Sequence, residues 1–229
     1  MKTIGLIGGM SWESTATYYR IINQTVKEKL GGLHSAKILL YSADFEEIEK
    51  YQANNDWEKS GQVLGEIAKK LESAGAEFIV ICTNTMHKVL PQIEEYISIP
   101  IIHIADATAE VLIEENIKKV GLLGTKYTMT QDFYKSRVID KGIDVIVPTE
   151  EDTEIINYII YNELCLGIIK PGSLSEYQRI IKTLESQGAQ GIILGCTEIG
   201  LLISQKDSSL PLFDTTYIHS EKAALFALE

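Results

Sequence analysis

The sequence predicts an α/β protein made of two similar halves, each a doubly wound parallel sheet covered by helices. Two observations carry this prediction. Short runs rich in Ile, Leu and Val alternate with longer amphipathic stretches, which is the pattern of βα units. In addition, the segment LESAGAEFIVICTNT at 71–85 returns as LESQGAQGIILGCTE at 184–198, which indicates an internal duplication.

The predicted strands are too continuously apolar for strands with one face in water. Such runs suit parallel strands that are covered on both faces. They are TIGLIG (3–8), AKILLYS (36–42), EFIVIC (77–82), KKVGLLG (118–124), DVIVP (144–148) and GIILGC (191–196).

Helices are predicted between these runs because apolar residues recur there with helical spacing. Gly75 and Gly188 follow two of these stretches at the position where glycine commonly ends a helix. The predicted helices cover 14–30, 57–74, 128–141, 150–164 and 174–187.

The repeat extends over most of the chain. Residues 3–19 resemble 119–134 at an offset of 116, and 98–108 resemble 209–219 at an offset of 111. The segments 71–85 and 184–198 have an offset of 113, and all three matches keep the same order along the chain. We therefore predict a first half formed by 1–98 plus 210–229 and a second half formed by 99–209.

Composition excludes several classes of partner. The net charge of −11, without a compensating basic cluster, argues against nucleic acid and against an anionic membrane surface. It also requires that an anionic ligand be held by local donors. The start of the chain lacks the features of a signal peptide. Three cysteines are an odd number and cannot all pair in disulfides within the chain. We expect a cytoplasmic protein with reduced thiols and no membrane span.

Polar residues follow the two repeated strands, where ligands of open parallel sheets bind. When Gly75 is aligned with Gly188, Thr83 lies opposite Cys196 and Cys82 lies opposite Gly195. Side chains alternate along a strand, so we expect Cys82 to point away from the site. Two halves facing each other would place Thr83 and Cys196 on opposite sides of one cleft. A thiol there could remove a proton from a carbon, because a helix N-terminus can lower its pKa towards neutrality.

The other strand ends supply hydrogen-bond donors. The turn Gly8–Ser11 and its counterpart at Gly124 and Thr125 offer backbone N–H groups to a carboxylate. GLIGGM lacks the spacing of a dinucleotide fingerprint, so nucleotide binding is rejected. Cys82 and His87 lack a second ligand pair at a recognised spacing, so no metal site is expected. Asp106 and Asp214 are interpreted as helix N-caps.

Together, the motifs resemble those of the aspartate/glutamate racemase family across essentially the whole chain. They are GLIGGMSWEST, ICTNTMHK, IADAT, LLGTKYTMTQDFY, LGCTEIGLL and FDTTYIH. The likeness is closest to the bacterial branch of broad-specificity amino-acid racemases and L-aspartate/glutamate-specific racemases. It implies two pseudosymmetric α/β domains with the active site between them, commonly in a homodimer, and neither pyridoxal phosphate nor a metal.

The resemblance also assigns roles to residues. The family's two catalytic cysteines lie in C-N-T-x-H and G-C-T-E motifs; here Cys196 keeps the second, whereas Thr83 occupies the first, as in the branch named above. A threonine hydroxyl cannot match a thiolate as a base, so symmetric two-way racemisation is in doubt. Lys170 is interpreted as an exposed residue before a turn. The implied substrate contacts are Met10, Ser11, Gln52, Asn84, Thr85, Thr125 and Thr197; by sequence alone, Gln52 is an exposed residue.

Two alternatives stay open at this point. One is a related enzyme with a different reaction, because maleate isomerases, arylmalonate decarboxylases and hydantoin racemases have a similar architecture and also use cysteines at strand ends. The missing first cysteine is also compatible with a non-catalytic protein that binds amino acids.

Overall fold

The computed structural model describes all 229 residues, which form two compact units. The first unit comprises Met1–Ile104 and His219–Glu229, and the second comprises Ala105–Ile218. No helix combines the length and the apolar character needed to cross a membrane.

The first unit contains a four-stranded parallel sheet in the order β2-β1-β3-β4. Its helices connect successive strands, as parallel pairing requires. The strands are β1 (Ile4–Gly8), β2 (Ile38–Ser42), β3 (Phe78–Ile81) and β4 (Ile101–Ile102). The helices are α1 (Trp12–Leu30), α2 (Phe45–Ala53), α3 (Trp57–Ser73) and α4 (Leu90–Glu94), with a 3-10 turn at Thr85–Val89.

The second unit repeats this topology, with a parallel sheet in the order β6-β5-β7-β8. Its strands are β5 (Lys119–Gly124), β6 (Asp144–Ile146), β7 (Ile192–Gly195) and β8 (Leu212–Asp214). The helices that follow α4 along the chain are α5 (Ile104–Glu114), α6 (Lys126–Thr130), α7 (Asp132–Ile139), α8 (Glu150–Asn162), α9 (Pro171–Ser186), α10 (Ile199–Leu202) and α11 (Thr215–Leu228). Most of α11 belongs to the first unit, which the chain re-enters at His219.

The sheet of the first unit has an apolar cluster on each face, which follows from the alternation of side chains along a strand. Ile79 and Ile81 of β3 pack with residues of α2 and α3 on one face. Phe78 and Val80 pack with residues of α1 and α11 on the other. Both clusters are buried, so the continuously apolar sequence of β3 is explained by its two covered faces.

The predicted α/β class, with parallel sheets surrounded by helices, is confirmed. All six predicted strands form, at slightly shorter lengths, and Gly75 and Gly188 follow the ends of α3 and α9 with positive φ angles. The predicted stretch 128–141 divides into α6 and α7. No stretch was predicted for β4, β8, α2, α4 or α10, and α5 and α11 were indicated only by the helix N-caps predicted at Asp106 and Asp214.

The boundaries of the units differ from those predicted at 98/99 and 209/210. The predicted boundaries would assign β4 to the second half and β8 to the first. Instead, β4 pairs with β3 and β8 pairs with β7, so each short strand stays with the half that precedes it. The chain changes unit six residues later at the first boundary (104 against 98) and nine later at the second (218 against 209).

Candidate functional site

Thr83 and Cys196 hold equivalent positions in the two sheets. Ile7 of β1 is paired with Ile81, and Leu123 of β5 is paired with Leu194. Since Ile7 and Leu123 are themselves equivalent by the offset of 116, Ile81 corresponds to Leu194. Two residues further on, Thr83 and Cys196 each follow the end of a central strand. The strand registers therefore support the alignment obtained from the repeated sequence.

Cys196 lies in a buried setting with an acidic partner. Its Sγ donates a hydrogen bond to Oε2 of Glu198 at 3.1 Å, and Thr197 Oγ1 donates to the same oxygen at 2.7 Å. Cys196 and Glu198 are 8% and 6% exposed. Cys196, Thr197 and Glu198 lie in the tight turn between the end of β7 and the start of α10 at Ile199, which brings their polar groups together.

The expected lowering of the pKa of Cys196 is wrong. Burial raises the pKa of this thiol well above its ordinary value, and the neighbouring Glu198 raises it further. A hydrogen bond from the backbone of Glu198 acts in the opposite direction but does not offset these effects. Cys196 is therefore a thiol that keeps its proton on sulfur and donates it in a hydrogen bond to the Glu198 carboxylate.

Cys82 has the surroundings of a core residue. It is fully buried and belongs to the cluster that contains Val80 and Phe78. Burial alone raises the pKa of this thiol strongly. It lacks the acidic neighbour that distinguishes Cys196, and its orientation agrees with the expected alternation of side chains.

The segment after β3 is held by a buried imidazole. Nδ1 of His87 donates to the carbonyl oxygen of Thr83 at 2.9 Å, and the backbone N–H of Ile104 donates to Nε2 at 3.3 Å. Both bonds require the neutral imidazole with its proton on Nδ1. Burial lowers the pKa of His87 to about 3, with a further contribution from nearby His219. Thr83 itself is half-buried, whereas Asn84 and Thr85 are buried.

The turn after β1 adjoins this segment in the first unit. Ser14, near the start of α1, donates from Oγ to the carbonyl oxygen of Cys82 at 3.3 Å. Ser11 is the N-cap of α1, with its side chain accepting from the Ser14 N–H at 3.4 Å. Met10 and Ser11 are both buried. The Gly9 N–H is bonded to Oγ1 of Thr15, so this amide of the turn is not available to a carboxylate.

Gln52 is a buried residue, which corrects its interpretation as exposed. It is 4% exposed within α2, and its Nε2 lies 2.9 Å from Sδ of Met86. This contact brings α2 next to the segment that follows β3. The Gln52 amide therefore contacts a residue that directly follows Asn84 and Thr85 in the chain.

In the second unit, Thr125 follows the strand beside the one that leads to Cys196. Gly124 pairs with Gly195 in the sheet, so Thr125 and Cys196 are the next residues on adjacent strands. Thr125 is the N-cap of α6, accepting from the Thr128 N–H at 3.3 Å. Thr197 is half-buried and engaged by Glu198.

Lys170 is exposed, as the sequence predicts, but it takes part in a polar cluster. Its Nζ lies 3.1 Å from Oε1 of Glu163, whose other oxygen accepts a short hydrogen bond of 2.5 Å from Ser173 Oγ. The pKa of Glu163 is lowered mainly by the hydrogen bond from Ser173. The hydrogen bond and positive charge of Lys170 lower it to a smaller extent. The Glu163 carboxylate is buried, whereas the Lys170 side chain that pairs with it just before α9 is exposed.

The two predicted N-caps have different outcomes. Asp214 accepts from the N–H groups of Thr216 at 2.8 Å and Tyr217 at 3.3 Å, which is a capping arrangement at the start of α11. Asp106 lies within α5 and instead forms an ion pair with Arg137 at 2.6 Å. The contact between Glu198 and Cys196 was not predicted, although the place of Glu198 two residues after Cys196 in G-C-T-E was a usable signal.

Comparison with known proteins places these features in a family. Residues 7–223 match the profile of the Asp/Glu/Hydantoin racemase family. The broad specificity amino-acid racemase RacX of Bacillus subtilis is 26% identical over 219 residues, which cover 93% of this chain and 92% of RacX.

Two solved structures are similar over their full length. A protein of Yersinia pestis, described as a candidate Asp/Glu racemase, is 59% identical with a TM-score of 0.94 and complete coverage of both chains. An aspartate racemase homologue, PH1733 of Pyrococcus horikoshii OT3, is 40% identical with a TM-score of 0.86 and also covers both chains completely.

Proposed function

Because the chain belongs to the Asp/Glu/Hydantoin racemase family, we propose that it is an amino-acid racemase that acts on aspartate or glutamate, with a range that can extend to other amino acids. The reaction removes the α-hydrogen of the substrate as a proton and returns a proton to the opposite face. It uses neither pyridoxal phosphate nor a metal. The single observation that carries the proposal is a strand-end thiol, Cys196, hydrogen-bonded to a buried carboxylate.

Cys196 is the group that takes the α-proton. The electron pair of the broken C–H bond moves onto the substrate carboxylate as an enediolate. Hydrogen-bond donors that bind this carboxylate bind it more strongly as its charge grows, which lowers the barrier. The residues proposed to hold the substrate's carboxylate and amine are Met10, Ser11, Gln52, Asn84, Thr85, Thr125 and Thr197.

Thr83 assists reprotonation from the other face, directly or through a water molecule. Its hydroxyl is a poor base near neutral pH, because an alkoxide is not accessible there. The two directions of the reaction are therefore expected to differ in kcat, the rate at saturating substrate. This asymmetry follows from the equivalent strand-end positions of Thr83 and Cys196 and from their different chemistry.

The protein is further proposed to act in the cytoplasm as a homodimer, as the family resemblance implies. Light scattering coupled to size-exclusion chromatography tests the oligomeric state. A mass of one chain, 25.5 kDa, at assay concentration would contradict the dimer.

The experiment that tests the function is α-hydrogen exchange in D₂O, followed by NMR over a panel of L- and D-amino acids. We expect exchange with aspartate or glutamate, accompanied by formation of the other enantiomer. Exchange of a hydantoin instead would assign the other substrate class in the family's description. Binding without exchange, unchanged in Cys196→Ala beyond a small loss of affinity, would contradict an enzymatic function.

A further inference from the structure

The sheet of the first unit has an exposed apolar edge. β2 is the outer strand in the order β2-β1-β3-β4, and its residues are half-buried or exposed, whereas every residue of the neighbouring β1 is buried. Leu40 and Tyr41 are 46% and 37% exposed. Proteins usually protect such an edge with charged residues, proline or a covering segment, because an open edge pairs readily with another strand. The sequence of β2, ILLYS, contains neither a charge nor a proline.

The open side of β2 carries backbone hydrogen-bonding groups. The bonds that flank its ladder with β1 use the carbonyl oxygen of Lys37 and the N–H of Ala43, each at 2.9 Å. Backbone groups of successive residues in a strand point to opposite sides, so those of Ile38, Leu40 and Ser42 point away from β1. A further strand laid along this edge would meet three residues with donors and acceptors directed towards it.

The neighbouring face of α1 is apolar and exposed as well. Trp12, Ala16 and Tyr19 are exposed at positions i, i+4 and i+7, which lie on one side of a helix. Together with Leu40 and Ser42 they line a shallow depression of about 400 Å³. The patch therefore continues from the strand edge onto the helix, and a continuous exposed apolar patch of this kind marks an interaction surface.

We propose that this surface pairs two copies of the chain, with β2 of one copy antiparallel to β2 of the other. The inference rests on the homodimer proposed above and gives that homodimer a location. A strand edge is complementary to itself about a twofold axis, because antiparallel pairing centred on Leu40 sets the outward groups of Ile38 against those of Ser42. The two four-stranded sheets would then form one continuous sheet.

The charges at the two ends of β2 favour an identical partner. The net charge of −11 opposes the association of two copies, so the surface needs a local attraction. Lys37 precedes the strand and Asp44 follows it, and both are exposed. Antiparallel pairing brings the start of each strand next to the end of the other, so this lysine and aspartate meet across the axis twice. Opposite charges on paired strands are stabilising.

The first test is a cross-link at the proposed axis. Directly opposite residues of antiparallel strands have Cα atoms about 4.5–5.5 Å apart, a distance that a disulfide can span. We expect Leu40→Cys, oxidised with copper phenanthroline, to give a reducible species of twice the chain mass of 25.5 kDa. Its yield should exceed that of the wild type, with its three cysteines, by at least about tenfold. Ile113→Cys is the matched control, because Ile113 is 45% exposed on α5 of the second unit.

The second test changes charges on the same surface. Leu40→Lys sets like charges opposite each other, so we expect the dimer dissociation constant to rise by at least about tenfold. Ile113→Lys should change it by less than about twofold. Lys37→Glu and Asp44→Lys should each weaken the dimer, and their combination should return the constant to within about threefold of the wild type. Light scattering over a dilution series measures each constant, and urea unfolding checks that Asp44→Lys, which changes the N-cap of α2, is folded.

The outcomes separate this inference from the proposed activity. A wild type with the mass of one chain at every concentration up to about 100 μM would overturn the pairing. A dimer whose dissociation constant is unchanged in Leu40→Lys, without a cross-link at position 40, would also overturn it, because the interface would then lie elsewhere. The racemase activity is decided independently, by α-hydrogen exchange in the wild type.

Discussion

His87 holds Thr83 through its backbone: Nδ1 of the buried imidazole donates to the threonine carbonyl oxygen at 2.9 Å. His219 is fixed in a similar way, because its Nε2 donates to the carbonyl of Ile102 at 2.9 Å and its Nδ1 accepts from the Tyr18 hydroxyl at 2.8 Å. The rings of His87 and His219 lie 5.6 Å apart, and His103 also packs on His87. The neutral imidazoles of His87 and His219 therefore support the segment that presents Thr83.

This network predicts a loss of stability at mildly acidic pH. Burial lowers the pKa of His219 to about 4 and that of His87 to about 3, whereas both titrate near about 6.5 in the unfolded chain. Between these values the unfolded state binds more protons, so the free energy of unfolding falls as pH is lowered from about 6.5 to about 4. Each histidine contributes a slope of up to about 1.4 kcal/mol per pH unit.

Urea unfolding of the wild type and His219→Gln across this window measures the effect. Glutamine can replace both hydrogen bonds but does not titrate, so the variant should have a slope smaller by about 1.4 kcal/mol per pH unit. An equal slope in the two proteins would contradict the assignment. His34→Gln, at an exposed position, is the control.

The two buried cysteines at the strand ends should respond very differently to the same substitution. Cys196→Ser is expected to lower turnover by at least about a thousandfold, because the proton-transfer group is lost. Cys82→Ser should stay within about tenfold, a barrier change of about 1.4 kcal/mol, because Cys82 faces the apolar core. Steady-state racemisation assays check both; a loss of several hundredfold in Cys82→Ser would show that the equivalence of Thr83 and Cys196 is off by one residue.

Thr83→Cys should make the forward and reverse rates more alike. A thiol at this position can act as acid and as base, whereas the hydroxyl serves poorly as a base. Initial rates at saturating concentrations of the L- and the D-enantiomer, measured separately, give the ratio of the two kcat values. An unchanged ratio would remove Thr83 from the mechanism.

Gly9 should be intolerant of a side chain for two reasons. Its φ angle is +90°, and a Cβ would lie 2.1 Å from the carbonyl oxygen of Ala43. Gly9→Ala is therefore expected to lower the free energy of unfolding by more than about 2 kcal/mol and to displace the adjoining Met10 and Ser11. Denaturant unfolding and KM measure the two effects.

Gly167→Ala separates strain from collision. Gly167 also has a positive φ angle, of +70°, but its Cβ would meet nothing within 4 Å. Its replacement should cost only about 1 kcal/mol. Equal losses at both positions would mean that backbone conformation alone, without the contact to Ala43, accounts for the effect at Gly9.

Much of the molecule was determined by local sequence. Ile- and Val-rich runs and glycines at helix ends predicted the main strands and helices, because hydrophobic periodicity and backbone freedom act over a few residues. The repeated segment predicted two similar sheets and the equivalence of Thr83 with Cys196. The strands β4 and β8 were not predicted from the sequence. They have only two and three residues, form by pairing with a longer neighbour, and carry little hydrophobic pattern of their own.

Tertiary structure decided the chemistry of the candidate site. The burial of Gln52 depends on the Met86 side chain 34 residues away in sequence, and no local pattern reports such a contact. The protonation of Cys196 likewise depends on how much water the surrounding core excludes and on which oxygen of Glu198 its sulfur meets. A sequence fixes which groups are present, whereas desolvation and distance, which set their pKa values, exist only after the chain has packed.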